Sequence, residues 1–176
     1  MKRVEIIQAD ITSLPVDAIV NAANRTLLGG GGVDGAIHAA AGKELVEFCR
    51  KMGGCRTGQA KVSPGFKLAS RFVIHTVGPI WRGGNLGEDD LLASCYRNCL
   101  ELAVKRHFRS IAFPSISTGA YRFPLLRAAG IAMRTMQDFL ATDTTLLKVY
   151  MVCFDLKTLN AFMLAYREIT RTTVDV

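Results

Sequence analysis

Apolar and polar positions along the chain switch between two periods. Short apolar runs at 4–8, 17–22, 59–63, 71–77, 110–113 and 147–154 have strand length and end in turn-forming residues. The run Ala18-Ile19-Val20 does not alternate at all, which predicts a strand covered on both faces. Between these runs the apolar spacing changes to three and four residues. That spacing predicts helices over 33–41, 43–52, 88–107 and 124–140, with Pro124 at the first helical position. Asp155 is placed to cap a last helix that turns Leu156, Leu159, Phe162, Met163 and Tyr166 inward. Strands alternating with helices predict an α/β layered sheet. One domain is expected over 1–171, with 172–176 as an unpacked tail.

Two stretches of small residues interrupt the pattern, each after a strand and before a helix. In such sheets ligands gather beyond the carboxyl ends of the strands. The first stretch, Gly29-Gly30-Gly31-Gly32-Val33-Asp34-Gly35, leads into a helix. Backbone N–H groups there converge and favour an anion. Gly30-x-Gly32-x-x-Gly35 satisfies the dinucleotide fingerprint literally. Residues 21–28 nevertheless separate it from the preceding strand, and Cys55 stands where the fingerprint wants an acid. The second stretch is Ser117-Thr118-Gly119-Ala120-Tyr121. Two such loops facing each other suit a diphosphate. Asp34 is a carboxylate inside a loop built for anions, so its role is something other than charge attraction. Asn21 and Asn24, at the end of a strand, either cap backbone groups or bond a ligand hydroxyl.

Charge and cysteine usage narrow the setting. The net charge of +7 would suit nucleic acid, but the basic residues are dispersed and do not alternate with aromatics. No apolar run reaches membrane-spanning length, and Glu5 interrupts any signal-peptide core. An odd number of cysteines, five, mostly in apolar segments, predicts a reducing, cytoplasmic location. Cys95-x-x-x-Cys99 falls on one apolar helix face with no histidine pair beside it, so no metal is expected.

Taken in order, Asp10-Ile11-Thr12, Asn21-Ala22-Ala23-Asn24, residues 29–38, His75-Thr76-Val77-Gly78-Pro79 and the stretch from Ser117 to Tyr121 resemble the macrodomains. The likeness is to the MacroD-type subgroup with its bacterial O-acetyl-ADP-ribose deacetylases, and it covers residues 4 to about 166. It implies a three-layer α/β/α fold with a mixed central sheet and a site for ADP-ribose, without cofactor. The implied contacts are Asp10 and the Ile11 amide with adenine, Phe154 stacked on it, and Asn24 with the distal ribose. The amides of Gly32 and Val33, and those of Ser117, Thr118, Gly119, Ala120 and Tyr121, would hold the diphosphate. Asp34 matches the residue taken as catalytic. One departure is Ala9, where the family usually has glycine, and its methyl group faces the expected adenine edge.

The activity so implied is hydrolysis of acyl esters of ADP-ribose, and of ADP-ribosyl esters on acidic side chains of modified proteins. A carboxyl group of ordinary pKa, about 3.9, is ionised at neutral pH and a weak base. Asp34 is therefore expected to position water or a ribose hydroxyl, with direct attack by water and no covalent intermediate. The competing readings are a module that binds ADP-ribose without turnover and, on charge alone, a nucleic-acid-associated protein.

Overall fold

The computed structural model describes residues 2–174. Its strands are β1 (Val4–Gln8), β2 (Ala18–Ala23), β3 (Ala60–Pro64), β4 (Phe72–Val77), β5 (Ser110–Phe113) and β6 (Lys148–Cys153). They form one sheet in the order β1-β6-β5-β2-β4-β3. Every neighbouring pair is parallel except β3 with β4, so the sheet is mixed. The helices are α1 (Gly32–Ala41), α2 (Lys43–Met52), α3 (Glu88–Lys105), α4 (Leu125–Thr142) and α5 (Leu156–Val174).

Alternation along the strands sorts the core into two clusters. Ala18, Val20, Ile74, Ile111, Phe113, Val149 and Met151 pack with α3, α4 and α5 on one face. Ile19, Ala23, Val73, Val77, Ala112 and Val152 pack with α1 and α2 on the other. Burying each Val, Ile, Phe or Met among them contributes about 1.5–3 kcal/mol, which pins the register of the central strands. Polar residues on the second phase are carried inward with their neighbours. Asn21 and His75 are paired across β2 and β4 and fully buried beneath α1.

Several boundaries differ from expectation by a residue or two, for local reasons. α1 opens at Gly32, one residue before Val33, and Gly32 takes a left-handed φ of +58° that glycine adopts without strain. Pro124 is the N-cap of α4, not its first helical residue. Its ψ of 125° is extended, while its carbonyl accepts the first intrahelical bond, from the Ala128 amide at 2.9 Å. Asp155 does cap α5, accepting from the Thr158 amide at 2.8 Å. Along α5, Phe162 is buried and Leu159 and Tyr166 are partly so, but Leu156 and Met163 face outward. Ala161 and Ala165 take the inner positions because α5 packs closely against α4. The stretch expected as a tail begins as helix, since α5 continues to Val174, and residues 175 and 176 lie outside the described residues.

Candidate functional site

All five parallel strands end along one edge, and four of them, β1, β2, β5 and β6, are followed by an expected site residue or loop. Asp10 follows β1 and Phe154 follows β6, and these two strands are neighbours, with the Ala9 amide bonded to the Cys153 carbonyl at 3.2 Å. Asp10 Oδ1 accepts from the Thr12 amide and hydroxyl at 3.0 and 2.7 Å, which caps a single 3-10 turn over Ile11–Ser13. Its Oδ2 takes no hydrogen bond from the described residues. Phe154 is 87% exposed, an aromatic face held in water at the end of β6, next to the strand that Asp10 follows. A bare phenyl ring at a strand end is a platform for a planar ligand. Ala9 packs against the cluster beneath α1 and α2 and is partly buried there.

The two loops supply unpaired amides. In the first, the amides of Gly32, Val33 and Asp34, in α1's first turn, bond to none of the described residues, and the Gly35 amide is the first to find a carbonyl, that of Gly31. A Cβ on Gly35 would lie 2.5 Å from the Gly30 carbonyl oxygen, so this helix packs directly on its own loop. In the second, the Arg122 and Phe123 amides bond back to Gly119 and Ser117, whereas the amides of Ser117, Thr118, Gly119, Ala120 and Tyr121 bond to none of the described residues. Ser117 has φ of +66°, and its buried hydroxyl has no partner among the described residues. It presses on Gly78 at the end of β4, where a Cβ would come within 2.1 Å of Ser117 Oγ. The Trp81 amide donates to the Tyr121 carbonyl at 2.8 Å and ties the following loop to the same wall. That loop is drawn round Glu88. Its carboxylate accepts from the amides of Arg82 (3.0 Å), Gly84 (2.9 Å) and Leu86 (2.6 Å). Burial pushes the Glu88 carboxyl up, but these amides outweigh it and take its pKa down to about 2.

Asp34 and Asn24 meet over Gly30. A Cβ there would lie 3.0 Å from Asp34 Oδ2 and 3.4 Å from Asn24 Nδ2. Asn24 also performs the capping alternative. It accepts from the Thr26 amide and hydroxyl and donates to the Gly29 carbonyl at 2.9 Å, leaving one N–H over. Asp34 is 4% exposed, and its Oδ1 accepts from Asn21 Nδ2 at 2.8 Å and lies 3.4 Å from His38 Nε2.

Asn21 continues inward to His75 Nδ1 at 3.1 Å, and His75 Nε2 lies 2.8 Å from Ser63 Oγ. Desolvation, and then the charge of neighbouring His38, hold the His75 pKa down to about 3, so the ring is neutral. This buried chain was not expected from the sequence. Its signal was there: Asn21 and His75 share the inward phase of β2 and β4 with Ile19, Ala23, Val73 and Val77, and polar groups so buried need partners.

Elsewhere, a hollow of about 680 Å³ between α4 and α5 is lined by Leu126, Arg134, Asp138, Leu164 and Glu168, among others, and holds none of the expected residues. Among the described residues no group of three or more His, Cys, Asp or Glu side chains is placed to hold a metal ion. No helix of the described residues is long and apolar enough to cross a membrane.

Two amide-lined loops over the strand ends, an exposed aromatic at one extremity and a buried carboxylate at the other, define an α/β domain for nucleotide-diphosphate ligands with a polar centre beyond the phosphates. The chain belongs to the Macro domain family, whose model it matches over residues 20–132. It is 59% identical over 162 residues to a macro domain-containing protein of Chlorobaculum tepidum, covering 92% of this chain and 94% of that one. It is 54% identical over 164 residues to the O-acetyl-ADP-ribose deacetylase of Salmonella typhimurium, covering 91% and 92%. Among solved structures, the Oceanobacillus iheyensis macrodomain with ADP superposes with a TM-score of 0.93 at 44% identity, over 96% of this chain and 92% of that one. The Trypanosoma brucei macrodomain in complex with ADP-ribose gives 0.86 at 41%, over 91% and 67%.

Proposed function

We propose that this macrodomain is an O-acetyl-ADP-ribose deacetylase that also removes ADP-ribose from acidic side chains of modified proteins. The observation that carries the reading is the meeting of Asp34 Oδ2 and Asn24 Nδ2 over Gly30, beside the free amides of Gly32 and Val33. With the pyrophosphate between those amides and the ones from Ser117 to Tyr121, the adenine falls toward Phe154, Asp10 and the Ile11 amide. The terminal ribose falls over Gly30. Asn24 then donates to a ribose hydroxyl, while Asp34 Oδ2 accepts from water aimed at the ester carbonyl. Water adds to the carbonyl carbon, the ribose oxygen leaves with a proton, and acetate and ADP-ribose result. An ADP-ribosyl ester of a glutamate or aspartate side chain offers the same sugar at the same place. The relative named above as an O-acetyl-ADP-ribose deacetylase, and the neighbours with ADP and ADP-ribose, support this chemistry. Five unpaired buried thiols support a reducing, cytoplasmic setting.

Acetate release from O-acetyl-ADP-ribose tests the proposal. Asp34→Ala is expected to lower kcat by about 100-fold, the low end for a positioned acid–base group, and to retain ADP-ribose binding by calorimetry. Equal release by wild type and variant would sink it. Tight ADP-ribose binding by a wild type that releases no acetate would instead make the protein a reader.

A further inference from the structure

We propose that His75 is a positioning residue for this hydrolysis: its imidazole, held in one tautomer by Ser63, fixes the Asn21 carboxamide and through it the Asp34 carboxylate. The proposal rests on the hydrolase reading above. Its ground is a donor count along the buried chain. The Asn21 amide nitrogen lies within bonding distance of two acceptors, Asp34 Oδ1 at 2.8 Å and His75 Nδ1 at 3.1 Å, and both its hydrogens are used. Asn21 Oδ1 is buried and has no partner among the described residues. The carboxamide is thus oriented entirely by what its nitrogen faces. Turned over, it would set its oxygen against a carboxylate oxygen.

His75 decides between the two orientations. A neutral ring carries one hydrogen, and with Nδ1 accepting from Asn21 that hydrogen is on Nε2. It points to Ser63 Oγ at 2.8 Å, whose own hydroxyl donates to the Pro64 carbonyl at 3.2 Å. The chain therefore runs one way, from Asn21 to His75 to Ser63 to the main chain. With the hydrogen on Nδ1 instead, the ring would draw the Asn21 oxygen toward itself, and Asp34 would lose its donor. Ser63 and His75 sit on the edge of the sheet and its neighbour, β3 and β4, so the setting comes from the fold and precedes any ligand. Holding Oδ1 in this way leaves Oδ2 over Gly30, where the sugar is placed.

Two variants of equal size separate orientation from packing. Asn in place of His75 offers an oxygen at the reach of Nδ1, two bonds from Cβ, and Leu offers none. In His75→Leu, kcat for acetate release is expected to fall about tenfold or more, as misplacement of a reacting group does, with the Kd for ADP-ribose within about twofold of wild type. His75→Asn is expected to recover most of that loss. Equal kcat in the two variants, or a loss in which Kd weakens as much as kcat falls, overturns the proposal. If His75→Leu does not fold, Ser63→Ala serves in its place: a lower kcat at unchanged Kd supports the role, and an unchanged kcat refutes it. Imidazole 15N shifts of the ligand-free wild type read the tautomer without activity. Hydrogen on Nε2 is expected, and hydrogen on Nδ1 overturns the proposal even where the hydrolase reading stands. A wild type that shows the Nε2 tautomer but releases no acetate instead ends the hydrolase reading, and the catalytic role of His75 with it.

Discussion

Acid should weaken this fold through His75 in a way that one substitution removes. The ring is fully buried, and burial together with His38 depresses its pKa from 6.5 to about 3. As the pH falls, the unfolded chain takes up a proton near 6.5 while the folded ring does not. The stability contributed by the neutral buried ring is therefore complete above about 6.5 and is lost progressively toward 3. The slope is about 1.4 kcal/mol per pH unit, and between pH 7 and pH 5 the loss comes to about 2 kcal/mol. That is a measurable share of the 5–15 kcal/mol typical of a domain. Of the groups facing the ring, Asn21 and Ser63 do not ionise, and burial pushes the Cys49 thiol up to about 11, outside the window. Asp34, beyond Asn21, and His38, whose ring centroid lies 6.4 Å from that of His75, are present in wild type and variant alike. Urea unfolding of wild type and His75→Asn at pH 7 and pH 5 isolates the effect. The wild type should lose about 2 kcal/mol more than the variant on acidification. Equal losses would show that His75 takes up its proton in the folded state and that the buried chain is not closed to it.

Gly30→Ala should place a methyl group 3.0 Å from Asp34 Oδ2 and 3.4 Å from Asn24 Nδ2. Acetate release should fall by about tenfold or more at an unchanged Tm, since this φ suits an L residue, and full activity would argue against a sugar over Gly30. Phe154→Ala should weaken ADP-ribose binding about tenfold, the loss of one base-stacking contact, without altering Tm, because the ring is 87% exposed; an unchanged Kd by calorimetry would remove it from the adenine site. Glu88→Gln should lower Tm at neutral pH, and the gap should close as the pH falls from 4.5 toward 2, where the wild-type carboxylate is itself protonated. A gap independent of pH over that range would assign the effect to shape, not charge.

The strands and helices were readable in the sequence because packing on both faces of the sheet enforces the pattern. Ala18-Ile19-Val20 divides its side chains between the two clusters, so an unbroken apolar run was the correct sign of a central strand. Pro124 was misplaced because φ near −65° fits both the first helical position and the cap. The two differ in ψ, here 125°, which proline does not fix. Leu156 and Met163 were misplaced because periodicity gives the apolar side of a helix but not how near its neighbour lies, and alanines at 161 and 165 let α5 approach where larger side chains would not. In the site, the glycine and serine loops showed in composition. The partners of Asp34 did not, because Asn21, Ser63 and His75 are brought together only by strand register, and no local spacing encodes that.

The presence of a carboxylate in a loop built for anions follows from the same arrangement. Asp34 lies in the first turn of α1, where the helix dipole favours negative charge. Its Oδ1 also receives a hydrogen bond from Asn21, a partner supplied by the fold itself. The fold thus holds the side chain, and a diphosphate need not. In the site as proposed, the ligand's charge is met by the amides of Gly32 and Val33 and of the Ser117–Tyr121 loop, which carry no net charge, so Asp34, next to Val33 in the chain, adds repulsion between carboxylate and phosphate. Removing the carboxylate relieves that repulsion while leaving every phosphate donor in place. Binding should therefore persist, or tighten, in Asp34→Ala as turnover falls, and a reader and a hydrolase on this scaffold would differ by what stands over Gly30.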